Sequence, residues 1–543
     1  ADADATDTTG GYQRGNYATL NALDAATASS LSNGNLDQNG GNNVRATIGA
    51  IGSGKWYWEF TKTSDRDTSA SNVGHVGLLP GDTSITALST YAHYRDDGKL
   101  QENGSTIATY STWTKGDVIG IAMNNDDEEY SMYKNGTLIV TRSYPANITA
   151  ENVFPYVRNN TGQTGSANFG QMRFKYPMPS GYAAINTSAL PSATIADPSE
   201  YFDIVTYTGI TQSPRTITGL NIAEPDLVWV KNRNDTSAHL LWDAVRGTDK
   251  NIRSDGSFNE SAVSGSANGI ISTSAANGFV VKNVNTGTNV GSSGSDPYVA
   301  WCWEAGSSTV SNTDGSITSS VRASQTAGFS IVTYSVPSSG TTFSVGHGLG
   351  AAPSLIIAKD REGSNPWGIY HSALGVGKGL LFSNAAEQVN SNWWNNTNPT
   401  STVFYLNTGI FAHSEPDKDY VAYCFAPVAG YSAFGSYTGT GASSTSAYNY
   451  CGFRPKLVVV KRTDSTSQWS VYDTARNPHN AADKNVWWDT TEFEYTSNVY
   501  KMDIYSNGFK MQNSHSERNA SGGTYIWLAF AENPFQANGG LAR

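Results

Sequence analysis

At 543 residues the chain is longer than one hydrophobic core sustains, so several domains of about 100–200 residues each are expected. Its 35 basic and 46 acidic residues give a net charge of −11 without a basic block, which repels nucleic-acid phosphates and anionic membranes and argues against both as partners. Charged residues are only 15%, against about 25% in an average protein, while 54 glycines accompany abundant Ser, Thr and Asn, a composition of strands and turns.

Residues 1–30 are polar and read as an N-terminal arm or docking segment. The opening "ADADATDTTGG" is neither a signal peptide nor an initiator-Met start and reads as a processed or truncated end. No apolar run reaches the roughly 18–20 residues of a membrane helix, so membrane insertion is not expected. From 31 to 195 come "GKWYWEF", "HVGLL", "KGDVIGIAMNNDDEEYSMYKNGTLI", "FPYV" and "SANFG". "DVIGIAM" and "EEYSMYKNG" read as two hairpin strands joined at "NNDD", followed by an Asn-Gly turn at Asn135 and Gly136.

Beyond 195 the chain repeats itself. "FDIVTYTGI", "FSIVTYSVP" and "SAFGSYTGT" are each followed by "PDLVWVKNR", "PSLIIAKDR" and "PKLVVVKRT", then by "LLWDAVRG", "GIYHSALG" and "SVYDTARN", and finally by "YVAWCWEA", "YVAYCFAP" and "YIWLAFAE". Self-similarity in fixed order defines three homologous units, 196–306, 328–430 and 431–543, with 307–327 as a linker. In "YVAWCW" both alternating sets are apolar, so this strand is expected to be covered on both faces. Cys302 and Cys424 fall at the same place in it, where the third copy has Ala529, and are expected with Cys451 to be unpaired thiols. Three cysteines without CxxC spacing make neither a disulfide framework nor a cysteine metal site, and imply folding in a reducing cytoplasm.

The segments of 31–195, in that order, resemble a SPRY domain, a bent jelly-roll sandwich. The junction "GYAAINTSALPSATIADPSEYFDIVTYTG", the motifs "PDLVWVKNR" and "DAVRG", and the ending "AFAENPF" resemble β-rich modules of tailed-bacteriophage virion proteins, and this likeness covers about 31–543. The expected fold class is therefore all-β: tandem β-sandwich modules, one SPRY-like and three repeated. The resemblance implies a structural or adhesive virion protein assembled in the host cytoplasm. It also implies self-association as a homotrimer, other virion proteins as neighbours, and a host surface glycan or protein receptor.

Catalytic signals fail on context. "GAIGSGK" from Gly49 to Lys55 satisfies the first seven places of a phosphate-binding loop, but a Trp follows Lys55 and the next residues are a strand rather than a helix N-terminus. Asp126, Asp127, Glu128 and Glu129 lack calcium-loop spacing and read as a solvated turn. Asp243 with Arg246, and Asp473 with Arg476, read as ion pairs at strand ends, with His371 and Leu374 at those places in the second copy. The eight histidines show no metal spacing. No catalytic residue, metal or cofactor is assigned.

One insertion in the second copy, "NSNWWNNTNP", sets Trp393 and Trp394 between Asn392 and the pair Asn395 and Asn396. Flat aromatic faces beside amide donors and acceptors suit stacking on sugar rings, so these five residues are the candidate binding site. The commoner use of such aromatics is to cover a neighbouring module or subunit. Trp487 and Trp488 of the third copy follow a different local pattern and are expected in strand core. The leading function is a non-enzymatic fibre or appendage contacting the host surface; the alternatives are a glycan-degrading tailspike, a capsid decoration or head fibre, and a secreted lectin-like module.

Overall fold

Asn135 and Gly136 adopt left-handed φ values of 50° and 78°, the twist that a tight hairpin requires, and turn Glu129–Lys134 back as Thr137–Ser143. Such turns recur along the chain. The computed structural model describes residues 16–25 and 31–534, apart from 42, 50, 66–72, 82–84, 86–90, 151, 161, 191–192, 212–213, 248–249, 263–268, 276, 283–287, 290–293, 384, 390–392, 411 and 444–445. Among the described residues, helix is confined to Ser516–Asn519 and five 3-10 turns, and the fold is all-β.

The first unit closes a seven-stranded and an eight-stranded sheet over a core that includes Trp56, Trp58, Phe60 and Phe169. The expected hairpin forms, with Val118–Asn124 antiparallel to Glu129–Lys134. Part of the expected arm 1–30 belongs to this sandwich instead: Leu20–Ala25 pairs antiparallel with Asn43–Ala46 as an edge strand, while 1–15 and 26–30 lie outside the described residues. Its polarity misleads because Asp24 is buried and neutralised by two partners distant in sequence, Arg45 and Lys510, each 2.9 Å away.

Each repeat is a sandwich of one larger and one smaller sheet. In the first, Phe202–Thr208, Pro297–Trp303, Leu227–Asn232 and Leu240–Asp243 lie side by side in that order, and Arg215–Thr218, Gly278–Lys282 and Gly269–Ala275 form the smaller sheet. The second and third repeat this order with Phe329–Ser335, Asp419–Phe425, Leu355–Asp360 and Gly368–His371, and with Ser432–Thr438, Thr524–Pro534, Phe453–Arg462 and Ser470–Asp473. The strands of these larger sheets pair antiparallel.

The alternation of the central strands now acquires its reason. Tyr298, Ala300 and Cys302 face the smaller sheet of their own sandwich, as do Tyr420, Ala422 and Cys424, and Tyr525, Trp527 and Ala529. The other set, Val299, Trp301 and Trp303 with Val421, Tyr423 and Phe425 and with Ile526, Leu528 and Phe530, enters one core common to all three repeats. At its centre the equivalent rings of Trp303, Phe425 and Phe530 form a triangle with centroid separations of 6.2, 5.8 and 5.7 Å. The remaining void there is about 10 Å³ and is lined by apolar and aromatic side chains. The repeats are thus one body around a pseudo-threefold axis rather than beads on a string.

Hydrogen bonds close the ring in the same cyclic sense. Trp367 Nε1 donates to the Arg253 carbonyl (2.8 Å), Trp469 Nε1 to that of Leu381 (3.0 Å), and His239 Nε2 to that of Trp487 (2.9 Å). Donors and acceptors occupy equivalent positions, each joining one repeat to the next. Trp229 Nε1 donates to His239 Nδ1 at 2.9 Å, which leaves the proton on Nε2 where the ring bond needs it.

The segment 307–327, read as a linker, carries two strands. Val310–Asn312 and Ser319–Ser324 extend the larger sheet of the second repeat, the latter pairing with Phe329–Ser335. Its small hydroxylic residues hide the strand, although the Asp314-Gly315 turn between them is a hairpin signal.

Candidate binding cleft

The structure overturns the insertion site of the second repeat. Trp393 and Trp394 are 4% and 1% exposed and belong to the core of their own sandwich. Trp394 stacks on His413 at 4.5 Å and meets Tyr370 edge-on; Trp393 lies where a Cβ on Gly379 would stand. Neither indole face is available to a sugar ring. Asn395 is half-buried, Asn396 is exposed, and Asn392 lies outside the described residues. The backbone turns through φ of 50°, 50° and 45° at Trp394, Asn395 and Asn396, and this reversal drives the aromatic pair inward. Trp487 and Trp488 are buried as expected.

The charged pairs are structural as well. Arg246 bonds Asp243, and Arg476 Nε bonds Asp473 at 2.6 Å, all four side chains being buried. Each arginine also reaches a glutamate that a second arginine shares from the adjoining repeat: Glu260 with Arg361 at 3.0 Å, and Glu494 with Arg233 at 2.8 Å. Asp126 accepts from the Gly54 N–H at 2.7 Å, tying the acidic turn to the glycine turn before Lys55, which opens a strand. Cys302, Cys424 and Cys451 are buried free thiols, and burial raises the pKa of each. His75 and His93, far apart in sequence, stack at 4.4 Å inside the first sandwich; burial, the larger cause, and their mutual repulsion hold His75 well below the usual imidazole range.

A cleft of about 800 Å³ opens where the second and third repeats meet the first sandwich. One wall is the strand Ser432–Thr438, the edge of its sheet, where Ser436 and Thr438 are exposed. The floor is formed by Thr524–Trp527, and a second wall by Tyr448–Tyr450 of the smaller sheet. Asn152 of the first sandwich and Ala373, Leu374, Lys378 and Glu387 of the second repeat complete it. Tyr437 stacks on Tyr525 at 4.8 Å. Lys378 Nζ holds Glu387 at 2.7 Å, and the Glu387 N–H donates to the Thr463 carbonyl at 2.8 Å, fixing that corner across the repeat boundary.

The cleft therefore offers hydroxyls, amides, aromatic surface and a strand edge. Among the described residues lining it Glu387 is the sole carboxylate, whereas two-carboxylate glycoside hydrolysis needs a pair. Sequence reading missed this site, yet a length signal was available. The chain runs from Trp303 to Phe329 between the first two repeats but only from Phe425 to Ser432 between the last two, so the third repeat lacks a preceding hairpin.

Fold and cleft together define a repeat protein of β sandwiches closed about an internal threefold. Residues 197–534 match the family described as "Domain of unknown function (DUF7483)", and the chain belongs to it. The match spans all three repeats as one unit and leaves out the first sandwich. No curated protein matches the chain. Among solved structures it is similar to the SPRY domain of human HERC1, with 20% identity and a TM-score of 0.23 over 28% of this chain and 99% of that one. A human SPRY domain gives 19% and 0.20 over 25% and 93%, and the TRIM65 PSpry domain 12% and 0.23 over 28% and 92%. These are likenesses of fold alone.

Proposed function

We propose that the chain is a non-enzymatic structural and binding protein, a fibre or appendage protein of a tailed-phage virion that contacts the host surface. The observation that carries this reading is the shared core: three sandwiches locked around one axis make a rigid body suited to bearing load and to presenting a fixed surface. Polar groups at the repeat boundaries serve that closure, since the Arg361–Glu260 and Arg233–Glu494 pairs and the indole–carbonyl bonds each join one repeat to another. The virion setting rests on the resemblance of the repeat motifs. Assembly as a homotrimer among other virion proteins belongs to the same proposal. Because cyclic closure is already achieved within one chain, trimer contacts would fall on other surfaces.

Immunogold labelling of phage particles with antibody raised against the chain tests the reading. Label on an appendage, together with reduced adsorption to host cells after preincubation with the purified chain, is the expected result. Particles that carry no label would overturn it.

A further inference from the structure

The same side of the sandwich is covered by a strand in one repeat and, among the described residues, open in another. In the second repeat Ser319–Ser324 lies antiparallel along the edge strand Phe329–Ser335, with Val321 packed in the sandwich core. The hairpin reaches across to the smaller sheet, where the Ser319 hydroxyl donates to the Gly346 carbonyl at 2.8 Å and Ile317 bridges Val345. In the third repeat no strand stands there among the described residues, and the 432–438 edge faces the cleft.

The ladder fixes which groups are unused. Gly439 N–H donates to the Gly523 carbonyl and Ala531 N–H to that of Tyr431, so the odd-numbered residues of this strand bond its partner Thr524–Pro534. By alternation the N–H and C=O groups of Phe434, Ser436 and Thr438 point to the open side. The corresponding groups of the second repeat, at Ile331, Thr333 and Ser335, lie along the edge that the hairpin strand occupies.

We propose that this edge accepts an extended peptide by strand addition, antiparallel to Ser432–Thr438, as the chain's own Ser319–Ser324 does on the equivalent strand. The seated precedent selects the chemistry of the occupant. It alternates small or β-branched residues facing the sandwich interior, as Ser319, Val321 and Ala323 do, with polar residues facing out. Arg322 of the hairpin pairs with Asp226 of the first repeat at 2.6 Å. The residue corresponding to Asp226 beside the third repeat is Ser354, so the incoming strand needs no cation at that place. The Lys378–Glu387 pair closes one end without leaving net charge in the cleft.

A synthetic peptide of sequence 316–326 with Arg322 replaced by Thr is the probe, added to the full chain and followed by hydrogen exchange. Saturable binding with new amide protection confined to residues 434–438 is expected. N-methylation of the peptide at position 322, whose amide would join the ladder, should weaken binding about tenfold or more, the worth of one lost hydrogen bond. N-methylation at 323, whose amide would point away, should leave it within about twofold. In the protein, Ser436→Pro removes an outward N–H that makes no native ladder bond and should abolish binding with the exchange pattern elsewhere unchanged. If that variant unfolds, the methylated peptides still decide. Protection at 329–335 instead, insensitivity to methyl position, or binding of oligosaccharide but not of peptide would each overturn the proposal.

Discussion

The hydroxyl of Tyr423 in the second repeat donates to the Asp243 carboxylate of the first at 2.8 Å, with both side chains fully enclosed. Trp301 of the first repeat makes the equivalent bond to Asp473 of the third at 3.1 Å. In the third repeat that position is Leu528, which has no donor, and His371 of the second instead bonds the adjacent Trp527 carbonyl at 3.1 Å. Three different chemistries thus satisfy one geometric position, which is why Asp, His and Asp are interchangeable there.

Removing the phenol therefore tests the closure. Tyr423→Phe should cost about 1.5–3 kcal/mol, the range for a hydrogen bond to a charged group. Asp243→Ala should cost about 3–5 kcal/mol because it leaves Arg246 buried with only Glu260, 3.4 Å away, as a charged partner. Urea denaturation of both variants and of the double variant measures this. Losses that simply add would mean that the two residues do not act together.

Trp394 supplies the second test. Its truncation to Ala in the full chain should lower stability by about 3–5 kcal/mol, as for other buried aromatics. Gly379→Ala should also destabilise, since the new methyl would stand on the Trp393 ring. Calorimetry decides; a thermal transition unmoved by Trp394→Ala would return these indoles to the surface.

What the sequence made legible and what it did not follow from the same physics. Strands, hairpins and repeats were readable because period-two alternation and Asn-Gly turns are local. The double-sided burial of "YVAWCW" was also readable, but the identity of its second cover was not. Val299, Trp301 and Trp303 meet residues more than a hundred positions away, and no local pattern distinguishes sister repeats from another subunit. The Asn-rich loop failed for a related reason. Polar neighbours suggested exposure, whereas left-handed backbone at Trp394, Asn395 and Asn396 folds the aromatics under.

Stability should peak in mildly alkaline solution. Burial holds His93 and His371 at about 4, His239 and His413 at about 3, and His75 well below its ordinary value. Unfolded histidines take up protons below about 6.5, so this contribution is lost as pH falls from there toward 3 to 4. Asp226 and Asp489, raised by burial to about 7 and about 6, act oppositely but are fewer.

Lys231, Lys359 and Lys461 end the three equivalent strands and are lowered by burial to about 8. Each spends its protons on carbonyls of the following loop, as in the 2.9 Å bond from Lys231 to Ser237. Unfolded lysines stay protonated to about 10.4, so stability rises as pH climbs from about 8. Buried phenols such as Tyr91 and Tyr472, raised to about 12, then reverse the trend, because unfolded tyrosines ionise near 10. Thermal melts from pH 5 to 11 should show a maximum between about 8 and 10; a flat profile would contradict the assignment.

The shared core makes a last, stronger claim about units. Independent modules would tolerate removal of the third repeat, leaving two sandwiches that melt as before. Here Leu457, Val459, Val471, Leu528 and Phe530 cover the inner faces of the first two repeats, and their loss would expose Trp229, Trp303 and Phe425 together. Exposed apolar surface of that kind drives association. A chain ending at residue 430 should therefore aggregate or lose its cooperative transition, whereas residues 197–534 should unfold in a single step. The first sandwich has its own core and meets the third repeat through a smaller set of contacts, among them Asp24 with Lys510, Phe154 with Tyr448 at 5.2 Å, the Tyr448 N–H with the Gly81 carbonyl at 3.0 Å, and Asn507 with the Gly49 carbonyl at 3.1 Å. Residues 16–195 should then fold alone, with a transition that Lys510→Met in the full chain separates from that of the repeats. Scanning calorimetry distinguishes the cases, and three resolved transitions within 197–534 would show the repeats to be autonomous after all.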